Sequence, residues 1–320
     1  MGLALLWKKA GLGSQDLLFS FKRTYSLNSL SGRYGIGHSG TLDPFAEGLL
    51  LVAWNEGLKI LHAFQKLPKT YEVEMLLGVT SASHDTELTL DFSKAEECLE
   101  KGKQISEEFL KKFLEKKVGS FKQVPPQYSA IKVNGHRAYK FARRGESVEL
   151  KARDSTLHAA KHLSWSTVEV EGYRLWKWTF EVKVSSGTYI RSFARDWGQE
   201  LVGQEAVLDR LVRVAIGPFH KSEEKCPYFI KLSDLEQYFD VLSLSQEETR
   251  QVRHGVIPAI PQSKRAQLLM SPSGQAVAWR EAGNPRLARV FSGDPFASAA
   301  SMPISGLSEK SLVASSVKIH

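Results

Sequence analysis

Every second residue across 176–184 is apolar (Trp176, Trp178, Phe180, Val182, Val184), with Lys177, Thr179, Glu181 and Lys183 in the gaps. Side chains on a strand alternate between faces, so this stretch has one face for a core and one for water. Ser185-Ser186-Gly187 closes the run, and Ile190, Phe193, Ala194, Trp197 and Leu201 then recur at helical spacing. A chain built on such a unit must bury an amphipathic sheet under helices.

The remaining elements follow from the same patterns. The apolar run 49–54 is a buried strand and 71–77 a second one. Ser14 is placed to cap a helix carrying Leu17, Leu18 and Phe21 on one side. The highly charged stretch 94–117 predicts a solvated surface helix, capped by Ser106, with Glu107 and Glu108 at its positive end. Ser233-x-x-Glu236 and Ser245-x-x-Glu248 have the capping-box spacing. Strands and helices are interspersed without a regular βαβ rhythm, which predicts an α+β class: a mixed, largely antiparallel sheet with flanking helices. From Gln251 the texture turns to short segments broken by Pro258, Pro261, Pro272 and Gly274, a small β-rich C-terminal module. The expected division is 1–245 for the main domain, 246–292 for the module, and 293–320 for a Ser-rich disordered tail.

Composition narrows the function classes. The 320 residues include 43 Lys and Arg against 35 Asp and Glu, a net +8 that favours a polyanionic partner. No run approaches the roughly 20 apolar residues of a membrane span. The two cysteines, Cys98 and Cys226, stand alone, so neither a zinc site nor a disulfide scaffold is expected. The N-terminal residues have neither the order of a signal peptide nor the Ser or Thr of a myristoylation site, and the expectation is a cytoplasmic chain.

Three segments could carry chemistry. In Gly37-His38-Ser39-Gly40-Thr41-Leu42-Asp43-Pro44, Pro44 biases Asp43 towards extended geometry, leaving a carboxylate on a rigid turn. Such an Asp serves equally well as a turn cap or as a catalytic acid. In Val184-Ser185-Ser186-Gly187-Thr188-Tyr189-Ile190-Arg191, an arginine falls in the first turn of a helix, where a cation is mildly disfavoured. It points either to a specific anionic partner or to simple exposure. Residues 132–153 hold seven basic side chains (Lys132, Arg137, Lys140, Arg143, Arg144, Lys151, Arg153) against Glu146 and Glu149, interleaved with aromatics. That mixture suits a phosphate-tracking surface; a solvated face explains the charges themselves more easily than their concentration.

Five blocks in order (GHSGTLDPFAEGLL, KTYEVEMLLGVTSASHD, PPQYSAIKVNG with YKFARRG, SSGTYIRSFARDWG and AVLDRLVRVAIGPF) resemble the TruB family of tRNA pseudouridine synthases over roughly 35–219. The resemblance implies the pseudouridine synthase fold with a central RNA-binding cleft, and isomerisation of uridine 55 in the tRNA T loop without metal or organic cofactor. The implied partner is the tRNA T stem-loop, and the implied state is a monomer. Asp43 matches the family's catalytic aspartate. Tyr71 matches the tyrosine that packs on the target base and is implicated in proton transfer, and Arg191 the arginine paired with the catalytic carboxylate. Tyr189 and Leu211 match an aromatic and an apolar pocket position. His38 matches a histidine that contacts the T loop, and Lys59 and Lys132, with Arg143 and Arg144, are the expected RNA contacts.

The chain departs from the family's Lys-Pro-x-Gly with Lys9-Ala10-Gly11-Leu12, has Asn55 where Gly is common, and has Val212 where a second basic residue often follows the pocket position. Residues 252–291 are faintly similar to a shortened PUA-like RNA-binding module. Two other readings compete. A tRNA-binding or folding protein with weak or lost activity would need the basic surface but not Asp43, Tyr71 and Arg191. An aspartyl-phosphate enzyme, suggested by Gly-Thr-Leu-Asp, would need Mg²⁺ held by further carboxylates, where Asp43 is followed by Pro44, Phe45 and Ala46.

Overall fold

A computed structural model describes residues 2–25, 27, 35–133, 135–220, 226–236 and 238–292. The tail expected over 293–320 lies outside the described residues. The chain divides into two units, one of Met1–Pro44, Gly48–Leu67 and Pro218–His320, the other of Phe45–Glu47 and Pro68–Gly217.

In the first unit, the apolar strand Gly2–Lys8 pairs antiparallel with Glu47–Trp54 along its whole length, from Gly2 opposite Trp54 to Lys8 opposite Gly48. Ile36–His38 pairs with Glu47–Trp54, and Tyr228–Phe229 with Gly2–Lys8. Helix Ser14–Thr24 lays Leu17, Leu18 and Phe21 onto Leu6, Leu50, Val52 and Trp54, the face its spacing predicted. Asn55 follows the second strand with φ 53°, which explains why glycine suits that position and why asparagine is tolerated. The 3₁₀ turn Asn55–Lys59 then passes so close to the chain start that a Cβ on Gly57 would lie 2.3 Å from the Gly2 carbonyl oxygen.

The C-terminal sheet belongs to the same unit. Phe239–Ser243 runs parallel to Ala266–Met270, which pairs antiparallel with Ala276–Arg280, and that with Arg289–Val290. Its core is Leu244, Val252, Leu269, Val277 and Ala278. Helix Gln246–Arg253 opens with the expected capping box between Ser245 and Glu248. The other box does not form. There the 3₁₀ turn Leu232–Asp234 is closed by Asp234, whose carboxylate accepts the Lys231 N–H at 2.7 Å, because Asp234 sits within reach one residue after Ser233.

In the second unit five antiparallel strands lie in the order Val207–Ile216, Lys69–Leu77, Tyr173–Val184, Arg153–Val170, Gly119–Gln123. Helices Ala95–Gly102, Glu107–Lys117 and Ile190–Val202 accompany them. The alternation at 176–184 buries Trp178 and Phe180 against Phe113 and Trp197, with Phe193 stacked on Trp197 at 4.3 Å. The single surface helix expected over 94–117 is two helices. Gly102 ends the first, where a Cβ would fall 2.1 Å from the Trp176 indole nitrogen, and Ser106 caps the second by accepting the Phe109 N–H at 3.1 Å. Between Gly119–Gln123 and Arg153–Val170 the chain makes an excursion with a hairpin (Lys132–Val133, His136–Arg137) and helix Ala138–Ala142. Ile131, Ala138 and Leu150 form its small core, against which Tyr189 packs. The whole is α+β and largely antiparallel, the expected class.

Candidate active site

The chain is tied down on both sides of Asp43. Buried Leu42 precedes it, and the Ser14 hydroxyl accepts the Leu42 N–H and donates to the Leu42 carbonyl, both at 3.0 Å. One hydroxyl thereby supplies the two backbone bonds that a neighbouring strand would otherwise give. Pro44 follows, and its carbonyl accepts the Gly11 N–H at 2.9 Å and the Lys8 ammonium at 3.0 Å. Lys8 is fully buried and also donates to the carbonyls of Lys9 and Leu12, at 3.0 and 2.6 Å. Asp43 itself is half-buried between these clamps. One expectation changes here: Ser14 is not the helix cap, a position held by Gly13, because its hydroxyl serves Leu42. In the Lys9-Ala10-Gly11-Leu12 stretch, Lys9 is exposed. Nearby, the Gly40 N–H donates to His38 Nδ1 at 3.3 Å, which assigns the His38 proton to Nε2.

The second unit presents Tyr71 on strand Lys69–Leu77, opposite Val182 on one side and Arg213 on the other. Lys69, Tyr71 and Val73 alternate inward, and Leu211 lies opposite Val73. Tyr71 and Leu211 thus share a face one register step apart. Lys69 and Arg213 are buried there as well. Burial pushes the Lys69 ammonium down to about 8, and the Arg213 guanidinium pushes the same way.

Arg191 is buried in the first turn of helix Ile190–Val202. Its guanidinium donates to the carbonyls of Ser83 (3.0 Å) and Tyr128 (2.8 Å) and lies 3.6 Å from the Asp85 carboxylate. Of the two readings of this arginine, the specific anionic partner holds, and within its own unit that anion is Asp85. The same carboxylate accepts from Ser83 Oγ at 2.5 Å and the Glu87 N–H at 3.1 Å. Sequence reasoning misses Asp85, although it ends the KTYEVEMLLGVTSASHD block. The only signal is a lone acid in a Ser-rich turn, which becomes informative once its burial is known. The helix start is fixed by Gln123, whose amide accepts the Tyr189 N–H at 2.9 Å and donates to its carbonyl at 3.1 Å.

The basic side chains divide. Lys132, Arg143 and Arg144 are exposed on the excursion, with the two guanidinium groups each 5.3 Å from an aromatic ring, of Tyr139 and Phe141 respectively. Lys59 instead pairs with buried Glu56 at 2.9 Å and donates to the Val290 carbonyl at 3.2 Å. His38, Asp43 and Lys59 belong to the first unit; Tyr71, Lys132, Arg143, Arg144, Tyr189, Arg191 and Leu211 belong to the second. Among the described residues, no three His, Cys, Asp or Glu side chains gather as a metal site, and no helix is long and apolar enough to cross a membrane.

The fold is shared with the solved structure of a Cbf5–Nop10–Gar1 complex, at TM-score 0.52 and 21% sequence identity over 88% of this chain and 78% of that one. It is the fold of the pseudouridine synthases. Residues 29–190 match the TruB family pseudouridylate synthase (N terminal domain). The tRNA pseudouridine synthase B of Campylobacter concisus (strain 13826) is 36% identical over 231 residues, 72% of this chain and 76% of that protein. The tRNA pseudouridine synthase B of Thermobifida fusca (strain YX) is 33% identical over 304 residues, 91% and 99% of the two chains. The chain belongs to the TruB family of pseudouridylate synthases and is an isomerase.

Proposed function

We propose that the protein converts uridine to pseudouridine in the T loop of tRNA, at position 55, with Asp43 as the acting carboxylate. The observation that carries this reading is the double clamp on the Asp43 loop. Ser14 on one side and Gly11 with Lys8 on the other hold a half-buried acid on a backbone with little freedom to move. Its relatives' activity on tRNA supports the substrate.

The reaction breaks the N1–C1′ bond, turns the uracil and forms C5–C1′; C5 loses a proton and N1 gains one. A uridine folded into a loop must first be extruded, at a cost of a few kcal/mol. Stacking on Tyr71 and packing against Leu211 offset that, at about 1–3 kcal/mol per stacked base. A carboxylate can act as a nucleophile, which suits Asp43 to this role. Arg191, the cation that the resemblance assigns to the reaction, is held fixed by Ser83, Tyr128 and Asp85. Tyr71 or a water takes the C5 proton. His38 and Tyr189 line the bound loop, and Lys132, Arg143 and Arg144 track phosphates with Lys59 as a further contact. Residues 246–292 form a PUA-like accessory module. The protein acts as a cytoplasmic monomer and needs no cofactor.

Tritium release from tRNA carrying 5-tritiated uridine, run beside filter binding, tests the reading. Wild type releases tritium, and Asp43→Asn abolishes release while tRNA affinity stays within about twofold. Release by the variant rejects Asp43. A wild type that binds tRNA without releasing tritium is an RNA-holding protein instead.

A further inference from the structure

His84 is a histidine in the left-handed region of backbone space, with φ 59°. Glycine enters that region freely, asparagine, aspartate and histidine more often than other side chains, and β-branched residues hardly at all. His84 is held at two points. Its Nε2 lies 3.1 Å from a carboxylate oxygen of Glu205, and its carbonyl accepts the Leu208 N–H at 3.0 Å. Both anchors sit on the segment that enters strand Val207–Ile216, the strand bearing Leu211.

The residues on either side of His84 both face Arg191. The Ser83 carbonyl accepts from the guanidinium at 3.0 Å, and the Asp85 carboxylate lies 3.6 Å from its Nε. In an extended chain the carbonyls lie along the hydrogen-bonding direction and the side chains stand out of that plane, so a carbonyl and the side chain two residues on face different ways. The left-handed turn at His84 is what lets the carbonyl of residue 83 and the side chain of residue 85 address one cation. We propose that His84, pinned by Glu205, is a positioning residue that fixes Arg191 in the geometry the isomerisation needs. The claim rests on the role of Arg191 given under Proposed function.

The imidazole offers a readout that a purely structural part would not. Its Nδ1 is buried without a hydrogen-bond partner, so the proton lies on Nε2, towards Glu205. The charged groups around it are Glu205, Arg191 and Arg195, with Asp85 next in the chain. Burial pushes His84 below the usual histidine range; Glu205 pulls it up, and Arg195 and Arg191 push it further down. At neutral pH the ring is uncharged. Protonation at low pH places a second buried cation beside Arg191 and disturbs the loop.

The test uses the full chain with unmodified tRNA, comparing wild type, His84→Val, His84→Asn and Glu205→Gln from about pH 5 to pH 8. Valine resists the left-handed region, and an ångström-scale displacement of a reacting group costs up to about 10²-fold. The expected results are a kcat at least about tenfold lower for His84→Val with unchanged tRNA affinity, and recovery of most of it by His84→Asn. Wild type loses activity at acid pH with one proton bound; His84→Asn lacks that limb, and Glu205→Gln moves it to lower pH. Superimposable acid limbs in wild type and His84→Asn overturn the proposal, as does equal kcat in the valine and asparagine variants. If His84→Val does not fold, the asparagine and glutamine variants still decide through the limb. The Arg191 Nε–H resonance decides independently of activity. A resonance that moves in the variants supports positioning, and one that stays overturns it, even for a wild type that proves inactive on tRNA.

Discussion

Ser14 and Leu42, 28 residues apart, are joined twice by one hydroxyl, which accepts the Leu42 N–H and donates to its carbonyl at 3.0 Å each. The pair sets where the chain stands one residue before Asp43. Ser14→Ala leaves two buried backbone groups without this partner, at about 1–3 kcal/mol for each unsatisfied group. We expect a lower Tm, a kcat reduced about tenfold and tRNA affinity within about twofold. Calorimetry and tritium release check this together, and a drop in Tm with kcat intact would make Ser14 a stabilising residue only.

The exposed guanidinium groups of Arg143 and Arg144 belong to a helix end that Tyr128 touches, its hydroxyl donating to the Ala142 carbonyl at 3.3 Å. The Tyr128 carbonyl meanwhile accepts from Arg191. Reversing both charges to Glu should weaken tRNA binding and flatten its dependence on salt, by about 0.7–0.9 in the logarithmic slope for each phosphate no longer neutralised. Tyr128→Phe leaves the charges alone, so its salt slope should match wild type while kcat falls severalfold. Binding titrations at several salt concentrations separate the two, and an unchanged slope in the double reversal puts the RNA on another surface.

Glu56 is buried, paired with Lys59, and accepts from the Ser292 N–H and hydroxyl at 2.7 and 2.8 Å. Burial works to raise its pKa, but the bonds from Lys59 and Ser292 prevail and hold it below the ordinary glutamate value. The sign follows. A depressed carboxyl pKa contributes stability above the unfolded value, lost as pH falls through the folded one. Glu56→Gln should therefore lower Tm at pH 7 and reduce the unfolding free energy by about 1.5–3 kcal/mol, the usual range for hydrogen bonds to a charged group. The gap should begin to narrow as pH falls to about 4.3 and close once pH drops past the lower, folded-state value. Thermal scans at the two pH values decide it; a gap independent of pH would remove the charge from the explanation.

These residues show what a sequence discloses and what it withholds. The strand around Trp178, the caps at Ser106 and Ser245, and the helix face of Leu17, Leu18 and Phe21 are legible because each depends on neighbours within about one turn or two strand positions. Asp43 and Arg191 stand out through local oddity, an acid before proline and a cation at a helix start. Ser14 misleads because a serine before a helix has a local use, and nothing nearby signals the partner at Leu42. Asp85 is hidden for the same reason, its guanidinium lying on a helix far along the chain. Lys59 shows the converse: its partner Glu56 stands three residues before it, within local reach.

Near neutral pH, replacing Lys69 should act in the opposite direction to replacing Glu56. Its ammonium shares a face with Tyr71, buried near Arg213, and its pKa falls from 10.5 to about 8. Between those values the unfolded chain binds more protons than the folded one, so this site adds stability as pH rises, by up to about 1.4 kcal/mol per pH unit. Near neutral pH the charged lysine is a cost that Lys69→Met removes; from about pH 8 upward wild type sheds the proton and recovers that cost. Denaturant titrations of both proteins at about pH 7.5 and about pH 9.5 should show the difference moving towards wild type with pH. Parallel behaviour would mean that Lys69 keeps its proton when buried, held by hydrogen bonds strong enough to outweigh both burial and Arg213.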